Sequence, residues 1–228
     1  MKVTLARRMS RVREALSWRS PVILAALVVR EILRPLLYWH VWHIFETDLS
    51  RPIPQAYAKD QIEIKLCSGK ANSAELPEEI AAMGELEPEE VRRRLARGDL
   101  LAIGLLKQRP VGYMWIGLSS GLELAYDTSW IVRPGEAVKY GSFVLPGFRG
   151  RGIHSGLNQA ANSCLGEFGI HKALASVSLL NPQSMSLPKH YRKGAAMTVF
   201  VARVRGVNWT VRKSFGREIG SRFAWTPK

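Results

Sequence analysis

Residues Phe143–Leu157 read Phe-Val-Leu-Pro-Gly-Phe-Arg-Gly-Arg-Gly-Ile-His-Ser-Gly-Leu. A β-prone apolar run enters a glycine-rich turn, and the turn opens a helical pattern carried on by Leu157, Ala161, Cys164, Leu165 and Phe168 and closed by Gly169. Lys172–Leu179 returns as a strand, so strand, turn, helix and strand succeed one another at the length of a parallel crossover. That unit commits the chain to an α/β fold. It also gathers backbone N–H groups where the helix dipole is positive, a cradle suited to pyrophosphate. Glycine lets backbone approach a phosphate closely, and Arg149 and Arg151 add positive charge. The turn lacks the Gly-Lys-Ser/Thr ending of a P-loop and the G-x-G-x-x-G spacing of a dinucleotide site.

Around this unit the pattern predicts further strands. Ile62, Ile64 and Leu66 alternate with polar residues, Leu100–Lys107 and Val111–Leu118 form a hairpin, and Leu122–Val132 and Tyr140–Leu145 add strands. Met197–Val204 and Trp209–Arg212 close the domain, after a short helix at Asn181–Arg192. Pro77 and Pro88 each sit where a first helical turn accepts proline, and Arg92, Arg93, Arg94 and Arg97 suit the second helix's C-terminal end. The expected organisation is a domain over residues 44–228 behind an arm over residues 1–43.

The arm carries eight basic and two acidic residues, with an amphipathic stripe Leu5, Met9, Val12 and Leu16 and an apolar run Val22–Val29. The run is far below the ~20 residues that span a bilayer, and no small-residue cleavage site follows it. The pattern instead suits an anionic membrane surface, with packing on the domain or on a second copy of the chain as the plainer alternative. Residues 189–222 hold nine basic residues and one acidic residue, and the whole chain has net charge +14, so an anionic partner is expected. Cys67 and Cys164 match no metal or disulfide spacing, and His40 and His43 lack companion ligands; neither a metal nor a disulfide framework is expected, and a reducing, cytoplasmic setting fits.

Arg149-Gly150-Arg151-Gly152-Ile153-His154, after a strand ending Val-Leu-Pro, resembles the acetyl-CoA loop [RQ]-x-x-G-x-[GA] of the GCN5-related N-acetyltransferase (GNAT) family. A second segment follows at a suitable distance. Asn181-Pro182-Gln183-Ser184, then Tyr191-Arg192-Lys193-Gly194-Ala195, resembles the family's Asn-x-x-Ser and Tyr-x-x-x-Gly-Phe elements, with Gly194 one residue early and Ala195 in place of the aromatic. His154 stands where the family prefers Gly or Ala, and Pro188 interrupts the approach to Tyr191. The resemblance is strongest over residues 140–205. It implies a mixed central sheet flanked by helices, acetyl-CoA or another acyl-CoA as cosubstrate, and an amine acceptor.

On that resemblance the backbone of Phe143, Val144 and Leu145 pairs with pantetheine where two strands splay apart. Arg149, Gly150, Arg151, Gly152, Ile153 and His154 hold the pyrophosphate, Asn181 holds the cofactor or a water, and Tyr191 faces the departing thiolate. No general base announces itself. Glu123, Asp127 and Glu136 precede the strand, with Glu123 favoured, though surface placement is the plainer reading of each. Two rival readings stay open. One is a non-catalytic binder of nucleic acid or an anionic surface, drawn from Trp209, Phe215, Phe223 and Trp225 interleaved with basic residues, although terminal aromatics more often complete a core. The other keeps the fold but takes a long acyl chain from an acyl-carrier protein, whose acidity would suit residues 189–222.

Overall fold

Leu100 and Ala102 face one side of a sheet while Leu101 and Ile103 face the other, and all four are buried. Period-two alternation with both sides apolar is what a central strand covered by helices requires. In the computed structural model, which describes residues 21–33, 36–51, 62–68, 76–83, 86–125, 128–181, 197–204, 209–216 and 223–225, the elements run α1 (Pro21–Leu33), β1 (Leu37–Asp48), β2 (Glu63–Cys67), α2 (Leu76–Ala82), α3 (Pro88–Ala96), β3 (Leu100–Leu106) and β4 (Arg109–Gly117). They continue with β5 (Glu123–Ala125), β6 (Thr128–Trp130), β7 (Glu136–Val144), a 3-10 turn at Pro146–Phe148, α4 (Ile153–Glu167), β8 (Lys172–Ser178), β9 (Met197–Val204), β10 (Trp209–Gly216) and β11 (Phe223–Trp225). The fold is α/β, a mixed sheet flanked by helices.

Two compact units divide the chain, one of residues 46–175 with 220–228, the other of residues up to 45 with 176–219. In the first, β2, β3, β4 and β7 pair antiparallel in that order and β7 pairs parallel with β8. The parallel pair is the crossover the sequence demanded, with α4 as its helix. Ile153, Leu157, Ala161 and Leu165 recur every four residues along α4 and pack on Ala102, Val111, Met114, Ile116 and Ala137. Ile80 of α2 and Val91 and Leu95 of α3 cover the opposite face over Leu101, Ile103, Tyr113 and Trp115. Burying a leucine such as Leu157 completely stabilises the fold by roughly 1.5–3 kcal/mol, so these rows fix the sheet against both helical layers. The stretch expected as one strand at Leu122–Val132 is instead two short strands, β5 and β6, which form a separate small sheet with β11.

In the second unit β1, β9 and β10 form an antiparallel ladder, with Leu37 opposite Val204 and Ile44 opposite Met197. The boundary drawn at residue 43 therefore falls inside β1, and residues 37–43 are strand rather than helical arm. The aromatic and β-branched run Tyr38–Phe45 has the propensity for this, and Trp42, Ile44 and Phe45 are buried. His40 Nε2 lies 2.8 Å from Ser178 Oγ, and His43 Nδ1 lies 2.8 Å from Thr198 Oγ1. No described helix is long and apolar enough to cross a membrane.

Candidate functional site

β7 changes character half-way. From Glu136 to Lys139 it is buried between two partners, β4 on one side and β8 on the other, the parallel register ending at Lys139 opposite Ala175. From Tyr140 onward only the β4 pairing continues among the described residues. Among the described residues no strand pairs with the edge turned away from β4 beyond Lys139, which leaves its backbone groups for a ligand that runs along the strand. A bulge marks the change: Trp115 pairs with Tyr140 but Tyr113 pairs with Phe143, which puts one extra residue on β7. The bulge shifts the alternation by one. Ala137 faces α4 before it and Val144 faces α4 after it, while Tyr140 and Phe143 join the opposite core.

The strand ends where Leu145 N–H donates to Val111 O at 2.9 Å, and the 3-10 turn carries the chain toward α4. Gly150 and Gly152 have φ of +76° and +82°, a conformation strained for any residue with a Cβ. Gly152 is the N-cap of α4, no side chain caps the helix, and its first turn holds no acidic residue. The first helical bond runs from Gly156 N–H to Gly152 O at 2.9 Å, so the donors before it point out of the helix end. Arg149 Nε donates to Val144 O at 3.1 Å with its guanidinium 5.9 Å from the Phe143 ring, and Arg151 lies 5.4 Å from the Phe148 ring. Two cations thus frame an uncapped helix start. His154 Nε2 lies 3.2 Å from Ser142 Oγ, so the imidazole folds back from the helix onto the open half of β7.

The structure therefore brings Phe143, Val144, Leu145, Arg149, Gly150, Arg151, Gly152, Ile153 and His154 into one continuous lip. Tyr191 lies outside the described residues, as do the short helix expected up to Arg192 and the amphipathic stripe of the arm. Asn181 is half-buried just past β8, its N–H donating to Ser178 O at 3.0 Å, and belongs to the other unit. Glu123 is exposed on β5 opposite Ser129. Glu136 is buried at the start of β7 and pairs with Lys172 at 3.9 Å.

Two groups of residues at the site were not singled out from the sequence. Lys139 is buried on β7, and its ammonium donates to Asn158 Oδ1 at 2.7 Å and Asn162 Oδ1 at 2.8 Å on α4. Burial without a carboxylate partner lowers its pKa to about 7. The signal was present, because Lys139 shares its parity with the inward Ala137. The second group lies across the sheet. The end of α3 turns through Gly98, with Gly98 N–H donating to Leu95 O and Asp99 N–H to Arg94 O, a Schellman turn that delivers Asp99 into the interior. There Asp99 takes hydrogen bonds from Arg97 and from the Tyr140 hydroxyl, and Arg97 Nη2 also donates to that hydroxyl at 2.9 Å. Burial, then the hydrogen bond to Asp99, pushes the Tyr140 phenol well above its usual range. Arg94 lies 5.0 Å from the Tyr140 ring and 5.3 Å from the Trp115 ring.

An open strand edge running into a glycine turn and an uncapped helix fits an elongated ligand with a phosphate group at one end. Among solved structures the chain matches a GCN5-related N-acetyltransferase from Sphaerobacter thermophilus at 15% identity and TM-score 0.49, covering 84% of this chain and 58% of that one. The likeness is to the GCN5-related N-acetyltransferases. An aminoglycoside N-acetyltransferase in complex with CoA matches at 18% identity and TM-score 0.40, over 58% of this chain and 91% of the other. A conserved protein of unknown function from Staphylococcus epidermidis matches at 12% identity and TM-score 0.47, over 78% and 67% of the two chains. No family model and no curated relative matches the chain.

Proposed function

We propose that the chain is a CoA-dependent acyltransferase of the GNAT kind that moves an acyl group, most simply acetyl, from the CoA thioester to an amine. The observation that carries this reading is the open edge of β7 from Tyr140 to Val144, continuous with the Arg149–His154 turn and the uncapped start of α4. The residues fit such a cosubstrate. Backbone of Phe143, Val144 and Leu145 would pair with the pantetheine amides, and the N–H groups at the helix start, framed by Arg149 and Arg151, would take the pyrophosphate. A thioester supplies the activated carbonyl. The chain's part is to hold that carbonyl beside the amine, so that an N–C bond forms as the C–S bond breaks. The amine's proton leaves to a base, for which Glu123 reached through water is proposed, and the thiolate takes a proton from Tyr191.

The central test is Gly152→Asp, which puts bulk, backbone strain and negative charge at the pyrophosphate. Calorimetry should show CoA affinity falling by more than about 10²-fold in a folded protein. Binding like wild type would remove the turn from the proposal. Tyr191→Phe should keep CoA affinity and lower single-turnover rates by roughly 10²–10⁴, the range for a general acid. An unchanged kcat/KM in Glu123→Gln would dismiss Glu123 as the base.

The same reading places the N-terminal segment against an anionic membrane face, as a peripheral attachment on the cytoplasmic side. Its support is the basic sequence of residues 1–43 together with Val22, Ile32 and Leu36, which are 76%, 69% and 68% exposed. Cosedimentation with vesicles should rise with their anionic lipid fraction, weaken with salt and vanish on deleting residues 1–36. Equal binding by the shortened chain would overturn the placement.

A further inference from the structure

The bulge of β7 decides which backbone groups lie along the open edge, and the ladder alone does not decide where the bulge sits. Gly141 and Ser142 stand together against Met114, between the pairs Trp115–Tyr140 and Tyr113–Phe143. A bulge can move along a strand for little change in ladder bonding, and every residue it passes turns to the other face. Successive residues also point their N–H and C=O groups to opposite edges, so the same move exchanges the amides that reach a ligand. Something other than backbone must hold it.

Side chains hold the bulge from both ends. Phe143 is kept on the side of α2 and α3, with the Tyr113 ring at 5.8 Å, which stops the bulge from moving past it toward the turn. Tyr140 is kept on the same side by its hydroxyl, which donates to Asp99 and accepts from Arg97 Nη2 at 2.9 Å. Were the bulge to move past Tyr140 into the closed half, that residue would turn toward α4 and lose both bonds. The Asp99 carboxylate is 0% exposed while its partner Arg97 keeps 31% of its side chain in solvent. The ion pair could form outside without desolvating the carboxylate; inside, the carboxylate reaches the tyrosine. Arg94 completes the clasp. Its Nε donates to Glu90 at 2.8 Å, its guanidinium lies 5.0 Å from the Tyr140 ring, and a Cβ on Gly141 would stand 2.9 Å from its Nη1.

We infer that Tyr140 is a positioning residue whose hydroxyl, held by Asp99 at the end of α3, fixes the bulge and so sets which backbone groups from Tyr140 to Ser142 face the cosubstrate. What the edge binds rests on the acyltransferase reading; what holds the edge rests on the clasp. With the pyrophosphate at the Arg149–His154 turn, the pantetheine runs back along β7 and its acyl end comes nearest Tyr140. The hydroxyl acts on the thioester through the strand and does not touch it.

The test compares two ligands of the full chain by calorimetry: acetyl-CoA, and ADP, which carries a pyrophosphate but no pantetheine. Tyr140→Phe keeps the ring and removes the hydroxyl. It should weaken acetyl-CoA by roughly 3- to 30-fold, the loss of one or two ordinary hydrogen bonds, and leave ADP within about twofold of wild type. Leu157→Ala is the control for a merely structural role, since it should lower the urea midpoint yet leave both ligands bound as in wild type. Acetyl-CoA bound by Tyr140→Phe as by wild type, or both ligands weakened in equal proportion, would overturn the assignment. Should that variant not fold, Gly141→Ala presses on the clasp from the strand side, where φ is +53°, and should split the two ligands in the same way; unchanged binding of both would again overturn it. A wild-type chain that binds neither ligand removes the acyltransferase reading and this assignment with it. A wild-type chain that binds both, with the variants unchanged, removes the assignment alone.

Discussion

The two halves of β7 share a partner in β4 and differ in nearly everything else. Glu136–Lys139 is buried, paired on both edges, and meets even its one lysine with two asparagine oxygens. Among the described residues Tyr140–Val144 is paired on one edge, exposes Gly141 and Ser142, and lies over two donors that find no acceptor. A single residue inserted at the bulge separates them. The first half spends its hydrogen bonds on holding the strand to α4; the second leaves groups open, as a strand must if a ligand is to pair with it. A site can be read from such unfinished bonding, provided the neighbouring stretch shows that the fold finishes its bonds where it can.

If this division is right, core and site substitutions should separate cleanly. Leu157→Ala removes a buried side chain from the row that holds α4 to the closed half, and should cost about 2–5 kcal/mol in urea unfolding while the folded fraction binds CoA normally. Gly152→Asp should show the reverse, lost binding with a far smaller loss of stability. A Leu157→Ala protein of full stability, or one that is stable but cannot bind CoA, would break the comparison.

The next largest effect tests the closed half alone. Lys139 is depressed to about 7 in the fold and returns to its ordinary value of 10.5 when unfolded. Between those values the unfolded chain binds the extra proton, so stability rises with pH across that window and the full cost is felt below about pH 7. Wild type should gain about 2–3 kcal/mol from this group between pH 6 and pH 9. Lys139→Met should lack that gain, although it leaves Asn158 and Asn162 without their donor. Parallel stability profiles for the two proteins would mean that Lys139 keeps its charge in the fold and that this half is less closed than its hydrogen bonds show.

Much of this was legible in the sequence because it depends on local pattern. The strand, glycine turn and helix at 143–157 announce themselves through residue types with few alternative uses, and Met197–Val204 stands as expected because apolar and β-branched residues fill all of it but Arg203. The hairpin turn is formed by Lys107 and Gln108 at φ of +50° and +62°, one position earlier than the Gln108–Pro110 break suggested. The bulge was not legible. Nothing in Tyr-Gly-Ser-Phe says that one residue is unpaired, yet the faces of Tyr140, Phe143 and Val144 all depend on it. For the same reason Arg94 read as one of several helix-end arginines, since its distinction is a neighbour 47 positions away. Tertiary pairing, which no local pattern encodes, made the difference.

The smallest expected effect lies on the open half itself. His154 occupies the second position of α4, and its contact with Ser142 at 3.2 Å is exposed, so His154→Ala should change stability by less than about 0.5 kcal/mol. Cofactor binding should respond more than folding does. The imidazole folds back onto the edge along which pantetheine would run, and a ligand must displace it, giving up a net contact of roughly 0.5–1.5 kcal/mol. Removing the ring should therefore tighten CoA binding by about two- to tenfold, a shift of the size that energy allows. Calorimetry of the alanine variant gives the answer. Weaker binding would make His154 a ligand to the phosphates instead, and the cradle would then reach one side chain further along the helix than its backbone geometry alone requires.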